Sequence, residues 1–368
     1  MKRFVAPAAF FFCFALVLFS DSALNAARIG VDIWWNTLLP TLFPLFVCAT
    51  IIDKSGALHR LAHACVRVSS ALHINSYALP VLLLGAVSGY PSGARLCGML
   101  QAEGRIPVAE AERLGSLCNL CSPLFLVGAV AGTMFGNPQL FIPLALGHYT
   151  SAILCALLFR CKRPAYTRTK PQPIPKTGEP LVFALPNAIA TGMSDITKIG
   201  GCVIFFLVLS ETLKKTGVFH IIGVPIDLLF SCVAVSPADG ILTGILEMTG
   251  GCYKIAQSGL AVQQALPICA FLISFGGLSI FVQSMSFFLY QKPLRYLGIK
   301  FTHGLLSAGM TYAWFACFPQ SAAAFSSTSS PLTVNIITSA TILVANTLAM
   351  ATAFLITVLS GKVRPAQK

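Results

Sequence analysis

The sequence is poor in charge. Only 10% of its 368 residues are Asp, Glu, Lys or Arg, while 56% are apolar and the mean hydropathy is +0.79. An ordinary soluble domain carries about 25% charged residues, so this chain lacks the polar surface to clothe a water-soluble globule. Acidic residues are scarcest, 12 against 25 basic, which leaves a net charge of +13. That charge does not point to nucleic acid, because the basic residues sit in short runs between apolar segments, with no continuous stripe and no nucleic-acid-binding motif. The sequence also lacks G-x-x-x-x-G-K-[ST], H-E-x-x-H and G-x-S-x-G. No ATP hydrolysis of its own, no enzyme activity, no cofactor and no metal are therefore expected. Nor is there a disulfide framework. The 13 cysteines are odd in number, irregularly spaced and mostly inside apolar stretches, as at Cys13, Cys48, Cys155, Cys202, Cys232 and Cys269. One C-x-x-C, Cys118 and Cys121, has no second pair or nearby His. These residues read as small buried apolar groups.

Apolar runs are what the chain has in quantity. A spanning helix needs roughly 20 mostly apolar residues. Candidates are Phe4–Phe19, Ile33–Ile52, Leu117–Phe135, Leu140–Phe159, Ile196–Leu213, Leu266–Tyr290, Thr302–Pro319 and Leu332–Leu359. Two further stretches, Ile74–Leu100 and Val218–Ala256, are interrupted by Gly, Pro and polar residues and read as re-entrant hairpins or broken helices. The expected fold class is an all-α polytopic membrane protein, with about eight transmembrane helices plus two such hairpins, and its solvent is the lipid bilayer. Phe4–Phe19 follows Lys2 and Arg3 as a signal peptide would, but no A-x-A site comes after it, so it is read as a retained first span.

The basic residues indicate orientation. The loop holding Arg160, Lys162, Arg163, Arg168, Lys170 and Lys176 should be cytoplasmic, and its five prolines make it an extended linker. Counting outward from it puts both termini inside, together with Lys54–His73, Gln101–Arg113, and Lys292, Arg295 and Lys300. Lys214 and Lys215 disagree. Ala57–Leu72 reads as an amphipathic interfacial helix, with His59, Arg60, His63, Arg67 and Ser70 on a solvated face opposite Leu58, Leu61, Cys65, Val68 and Leu72.

Features recur in the same order on either side of the linker. Ile33–Ile52 runs into Lys54-Ser55-Gly56, as Ile196–Leu213 runs into Lys214-Lys215-Thr216-Gly217. A broken apolar segment follows in each, carrying Ser88-Gly89-Tyr90-Pro91-Ser92-Gly93 in one and Glu247-Met248-Thr249-Gly250-Gly251 in the other. The next span is broken at Asn119-Leu120-Cys121-Ser122-Pro123 in one and at Ser274-Phe275-Gly276-Gly277 in the other. With the first long segment running inward and the second outward, these are inverted repeats, the arrangement that places a transporter's site near the midplane where broken helices meet. The division is an N-terminal helix (1–29), a first repeat (30–160), the basic linker (161–180), a second repeat (181–320), and a C-terminal helix with basic tail (321–368).

The same motifs carry a resemblance. Trp34-Trp35-Asn36, Leu39-Pro40-Thr41-Leu42-Phe43-Pro44, Ser88–Ala94, Asn119 with Ser122-Pro123-Leu124-Phe125, and Ser274–Gly277 resemble the YlbJ-type sporulation integral membrane proteins, over roughly residues 30–320. That family is placed in the nucleoside-recognition (Gate) group, related to concentrative nucleoside transporters. It is linked in spore-formers to moving dipicolinate across the outer forespore membrane. The resemblance implies a transporter for a small anionic or nucleoside-like solute. One departure is Leu120-Cys121-Ser122, where the family has a more polar turn.

The candidate solute-binding residues follow from the breaks, where freed backbone groups and half-helix N-termini can meet a ligand. Gly89, Gly93, Gly250, Gly251, Gly276 and Gly277 would let backbone amides approach a carboxylate, and Ser88, Tyr90, Ser92, Asn119, Ser122, Thr249 and Ser274 would offer neutral hydrogen bonds. The alternative for the glycines is close helix packing. Glu247 is the sharpest candidate, because an intramembrane carboxylate needs a partner, a proton or water. It reads as a coupling group for a proton or ion, or as a solute acceptor, unless Arg95 or Lys254 pairs with it. Oligomeric state is open.

Overall fold

The computed structural model describes residues 2–71, 75–159, 181–231, 235–287 and 293–318, all of them in helices or connecting turns. The basic linker, the uncharged loop after residue 319 and the expected span Leu332–Leu359 lie outside the described residues.

Helix α1 (Lys2–Leu18) covers the first expected span. After it, α2 (Ser20–Asp32) passes through a π turn at Ile33–Leu38 into α3 (Leu39–Lys54), so the span expected at Ile33–Ile52 is the second half of a longer rod. Its counterpart is α9 (Leu181–Lys215), again longer than Ile196–Leu213. The two rods have apolar lengths of 33 and 34 residues, and with Pro138–Leu158 and Val262–Met285 they are the described helices long and apolar enough to cross a membrane. They lie antiparallel. Gly30 meets Ile204, Gly200 meets Trp34, and Gly192 meets Phe43 and Val47, so residue numbers rise along one rod as they fall along the other. The Trp34 indole donates to the Ile196 carbonyl at 2.9 Å near the crossing. Antiparallel packing of equivalent helices is what inverted repeats require.

The rest of each half repeats too. A shorter helix comes next, the amphipathic α4 (Ala57–Ala71) or the apolar α10 (Val218–Leu229). A hairpin of short helices follows, α5 (Ala78–Ser88) and α6 (Ser92–Ala102), or α11 (Ala238–Leu246) and α12 (Met248–Ala256). At 1.5 Å per residue each arm reaches about 13–17 Å, half a hydrocarbon core. The apolar stretch Val218–Ala256 is therefore three helices, a short apolar one and a hairpin. A broken span follows: α7 (Val108–Leu117) with the π segment Phe125–Met134, or α13 (Val262–Phe275) with α14 (Gly277–Met285). Each half closes on a long helix, α8 (Phe141–Leu158) or α15 (Pro293–Cys317). These two also run antiparallel, with Pro143 beside Thr311 and His148 beside His303.

Apolar side chains on the outside support a lipid surround: Phe10, Val182, Ile221, Leu228, Leu229 and Leu294 are among the most exposed residues. Two expectations are corrected. His59 is not on the solvated face of α4. It is 6% exposed, with Nδ1 3.0 Å from the Tyr77 hydroxyl and Nε2 3.7 Å from Glu103, while Arg60, His63 and Arg67 remain outside. Lys300 does not flank a span. Helix α15 begins seven residues before it, and the side chain is fully buried.

Candidate solute-binding site

The four breaks come together because each leaves backbone groups that another element must satisfy. At Asn119–Pro123 the cause is Pro123. It has no N–H, so the Asn119 carbonyl four residues earlier loses its helical donor. That carbonyl accepts from Lys300 Nζ at 3.0 Å, reaching in from α15. The Cys121 amide donates to His148 Nε2 at 3.0 Å, and the Cys121 carbonyl accepts from the Tyr149 hydroxyl at 2.8 Å, both from α8. At Gly276-Gly277 both residues have positive φ (84° and 73°), which glycine tolerates and which ends α13. The Ile273 carbonyl near this break accepts from the Tyr90 hydroxyl at 3.0 Å, joining the first hairpin turn to the second broken span. Ser274 Oγ lies 2.7 Å from His148 Nδ1.

The third break is capped by Glu247, whose extended backbone starts α12. Its Oε1 accepts from the Thr249 amide at 3.0 Å and Oε2 from the Gly250 amide at 2.6 Å, with the carboxylate 2% exposed. This corrects one expectation and excludes one alternative. The amides at Gly250-Gly251 do not wait for a solute carboxylate: Gly250 N–H is held by Glu247's own, and Gly251 N–H donates to the Glu247 carbonyl. The carboxylate pairs with neither Arg95 nor Lys254. Arg95 sits 3.4 Å from Asp195 and donates to Thr50 Oγ1, and Lys254 lies 3.2 Å from Asp239 and 3.9 Å from Glu211.

Between the breaks is a cavity with about 30 Å³ of free space, room for a water or two. Gly89, Tyr90 and Ser122 line it from the first half, and Glu247, Thr249 and Gln283 from the second. Leu38, Leu42, Phe125, Ile199, Val203 and Ile280 make the apolar wall. The remaining sequence candidates stand behind this lining. Ser88 bonds back to the Leu84 carbonyl, Ser92 is buried in the first turn of α6, and Asn119 Nδ2 donates to Ser284 Oγ and the Tyr296 hydroxyl. Close packing accounts for several glycines. A Cβ on Gly93 would strike the Cys118 carbonyl, one on Gly250 would strike Leu207, one on Gly251 would strike Gly244, and one on Gly277 would lie 2.9 Å from the Gly244 carbonyl. On α9, Ile199 and Val203 face the cavity, and Leu207 and Glu211, continuing at the same spacing, face a second, larger pocket of about 280 Å³ with Asn25, Lys215, Tyr253 and Lys254. Gly250 borders that pocket, and a Cβ there would strike Leu207 Cδ2 and lie 3.4 Å from Glu247 Oε2.

Sequence reading missed Lys300, His303 and Gln283. A lysine, Lys300, three residues ahead of a histidine and two ahead of the expected span start was the available signal, but it reads as a topology charge until its partners are known.

A serine beside a histidine invites a hydrolytic reading. In a neutral imidazole one nitrogen donates and the other accepts. His148 Nε2 accepts from a backbone N–H, so Nδ1 carries the hydrogen and donates to Ser274 Oγ. The histidine therefore has no lone pair with which to draw the serine's proton, and neither residue lines the cavity. The described residues hold no cluster of His, Cys, Asp and Glu suited to a metal.

The chain is similar to the "Sporulation integral membrane protein YlbJ" of Bacillus subtilis (strain 168). The two are 26% identical over 285 residues, which cover 72% of this chain and 70% of the relative. The YlbJ-type resemblance carried by the break motifs is thus supported across most of the chain, and the protein is a multi-pass integral membrane protein with that similarity. No protein-family model matches the chain, and no solved structure does.

Proposed function

We propose, from this similarity to a sporulation membrane protein and from the central cavity, that the protein is a permease for a small solute. The observation that carries the reading is that broken helices from both antiparallel halves line one buried cavity, with Gly89, Tyr90 and Ser122 opposite Glu247 and Thr249. A fold that only had to span lipid would have no reason to interrupt four helices at one depth, since each interruption frees backbone groups at a cost of several kcal/mol unless they are satisfied. The larger pocket further along α9, lined by Leu207 and by the charged Glu211, Lys215 and Lys254, is the candidate route toward water. Hydroxyls, one amide side chain, the amide-bound carboxylate of Glu247 and apolar walls suit a small flat solute with hydrogen-bonding edges. In a spore-former, dipicolinate at the outer forespore membrane fits that description, and a nucleoside is the runner-up through the Gate-group resemblance. The direction of the halves in the membrane follows the basic linker, which we place in the cytoplasm with both termini.

Flux of radiolabelled dipicolinate and of uridine into proteoliposomes tests this reading. Saturable flux of either, abolished by Ser122→Leu, which fills the cavity, supports it. If neither solute crosses faster than through protein-free liposomes, the permease reading fails.

A further inference from the structure

Lys300 presents a cation deep in the protein without an anion. Its Nζ lies 2.9 Å from the Tyr90 hydroxyl, 3.0 Å from the Asn119 carbonyl and 3.4 Å from His303 Nδ1, so an ammonium would spend its three protons on three neutral acceptors. His303 donates Nε2–H to the His148 carbonyl, which leaves Nδ1 as the acceptor facing Lys300. The titratable groups around it are Tyr90 from the first hairpin, Cys118 and Cys121 from the α7 break, His148, Tyr149 and Cys155 from α8, and Tyr296 and His303 from its own helix. None is a carboxylate, and among the described residues no ion pair includes Lys300. Buried charges are ordinarily paired. A second observation marks the same residue: Asn119 Oδ1 is buried with no hydrogen-bond donor, an acceptor in excess on the residue whose backbone carbonyl holds the ammonium.

A freed carbonyl at a broken helix is where transporters of this architecture hold a coupling cation. Here the chain's own ammonium sits on it. We infer that Lys300 is the proton-coupling group of the permease, a tethered cation that loads and unloads a proton and makes a separate metal ion unnecessary. The inference rests on the permease reading and on an anionic solute. Tyr90 connects the two sites, since its hydroxyl touches Nζ and its side chain lines the cavity. With an anion in the cavity, the ammonium gains a counter-charge and the proton stays. With the cavity empty, the one carboxylate on its lining, Glu247, is held by the α12 amides and forms no ion pair with Lys300, and the proton leaves. On release, one Nζ–H bond breaks with its electron pair kept on nitrogen. The proton passes to the Tyr90 oxygen as the phenolic proton, turned away from the Ile273 carbonyl, goes to water in the cavity. Tyr90 ends neutral and Lys300 ends as an amine. Solute and proton thus cross together, because each binds better when the other is present.

The test uses the full chain in proteoliposomes with radiolabelled dipicolinate. Exchange of internal for external solute, with no ion gradient, reads transport alone. Accumulation driven by an inside-alkaline pH gradient or by an inward sodium gradient reads coupling. The wild type should exchange, should accumulate under the pH gradient, and should ignore sodium. Lys300→Arg keeps the charge but does not release it, so pH-driven accumulation should be lost. In weakly buffered detergent, dipicolinate binding should raise the pH around the wild type, read with an indicator dye, and not around Lys300→Arg. Exchange with sodium-driven accumulation, or pH-driven accumulation that survives in Lys300→Arg, overturns the inference while leaving the permease intact. Absence of exchange in the wild type removes the permease reading and this inference with it. If Lys300→Arg does not purify folded, the wild-type choice between protons and sodium still decides.

Discussion

Arg95 on α6 and Asp195 on α9 face each other at 3.4 Å, so the first half's hairpin is held by the second half's long helix. Both side chains are largely covered, at 21% and 12% exposure, and Arg95 also donates to Thr50. The guanidinium is thus spent on joining the halves, and its charge is not free to snorkel or to collect anions.

Breaking that pair should cost stability. Arg95→Met leaves Asp195 with only the exposed Lys198 at 3.5 Å. A loss of about 1–3 kcal/mol is expected, below the 3–5 typical of a fully buried pair because water still reaches it. Adding Asp195→Asn should recover part of the loss. Unfolding of the single and double variants in mixed micelles measures the coupling, and additive effects would show that the two residues do not interact.

Glu247→Gln should lower thermal stability, unlike Glu211→Gln. Glutamine keeps one oxygen for one amide of α12 and turns an NH2 toward the other, leaving a buried N–H unsatisfied at about 1–3 kcal/mol. Glu211 has Lys254 3.9 Å away and the charge of Lys214, both partly exposed, so its change should be near neutral. Thermal unfolding in detergent of both variants checks this. Equal melting temperatures would mean that the cap is not formed.

Gly93→Ala should abolish folded protein, and Gly201→Ala should not. A Cβ on Gly93 strikes the Cys118 carbonyl and lies 2.8 Å from Asn119 Cα, backbone that cannot step aside, whereas Gly201 opens on space. The yield of monodisperse protein by size exclusion distinguishes them.

The mouth of the second hairpin should show a predictable pH dependence. Burial alone would push the Asp239 carboxyl up, but the hydrogen bond from Lys214 and the charge of Lys254 outweigh it and hold Asp239 below its ordinary 3.8. A depressed carboxylate contributes stability that is present above 3.8 and lost as pH falls through its lower folded value. The melting-temperature difference between wild type and Asp239→Asn should therefore hold across neutral pH and vanish at the acid end. A difference independent of pH would assign the effect to packing.

The sequence by itself determined the solvent of this protein and the positions of its breaks. Charge too sparse for a water-facing surface admits only lipid, and Gly276-Gly277 or Pro123 interrupts a helix for local reasons of φ or a missing N–H, whatever surrounds it. The matched order of features in the two halves was legible for the same reason. Tertiary structure alone decided what satisfies each break. Lys300 finds its carbonyl at Asn119, 181 residues away, and Tyr90 finds Ile273 across 183, so no window of sequence contains both members. Glu247 shows the opposite case, a partner two and three residues ahead that was overlooked because an intramembrane acid suggests a distant cation. Helix boundaries shifted because hydropathy registers average composition: Lys300 appeared to end a span, although a buried charge can lie inside a helix when packing supplies its acceptors. Local chemistry sets where a helix must stop, and only contacts across the fold set which groups meet there.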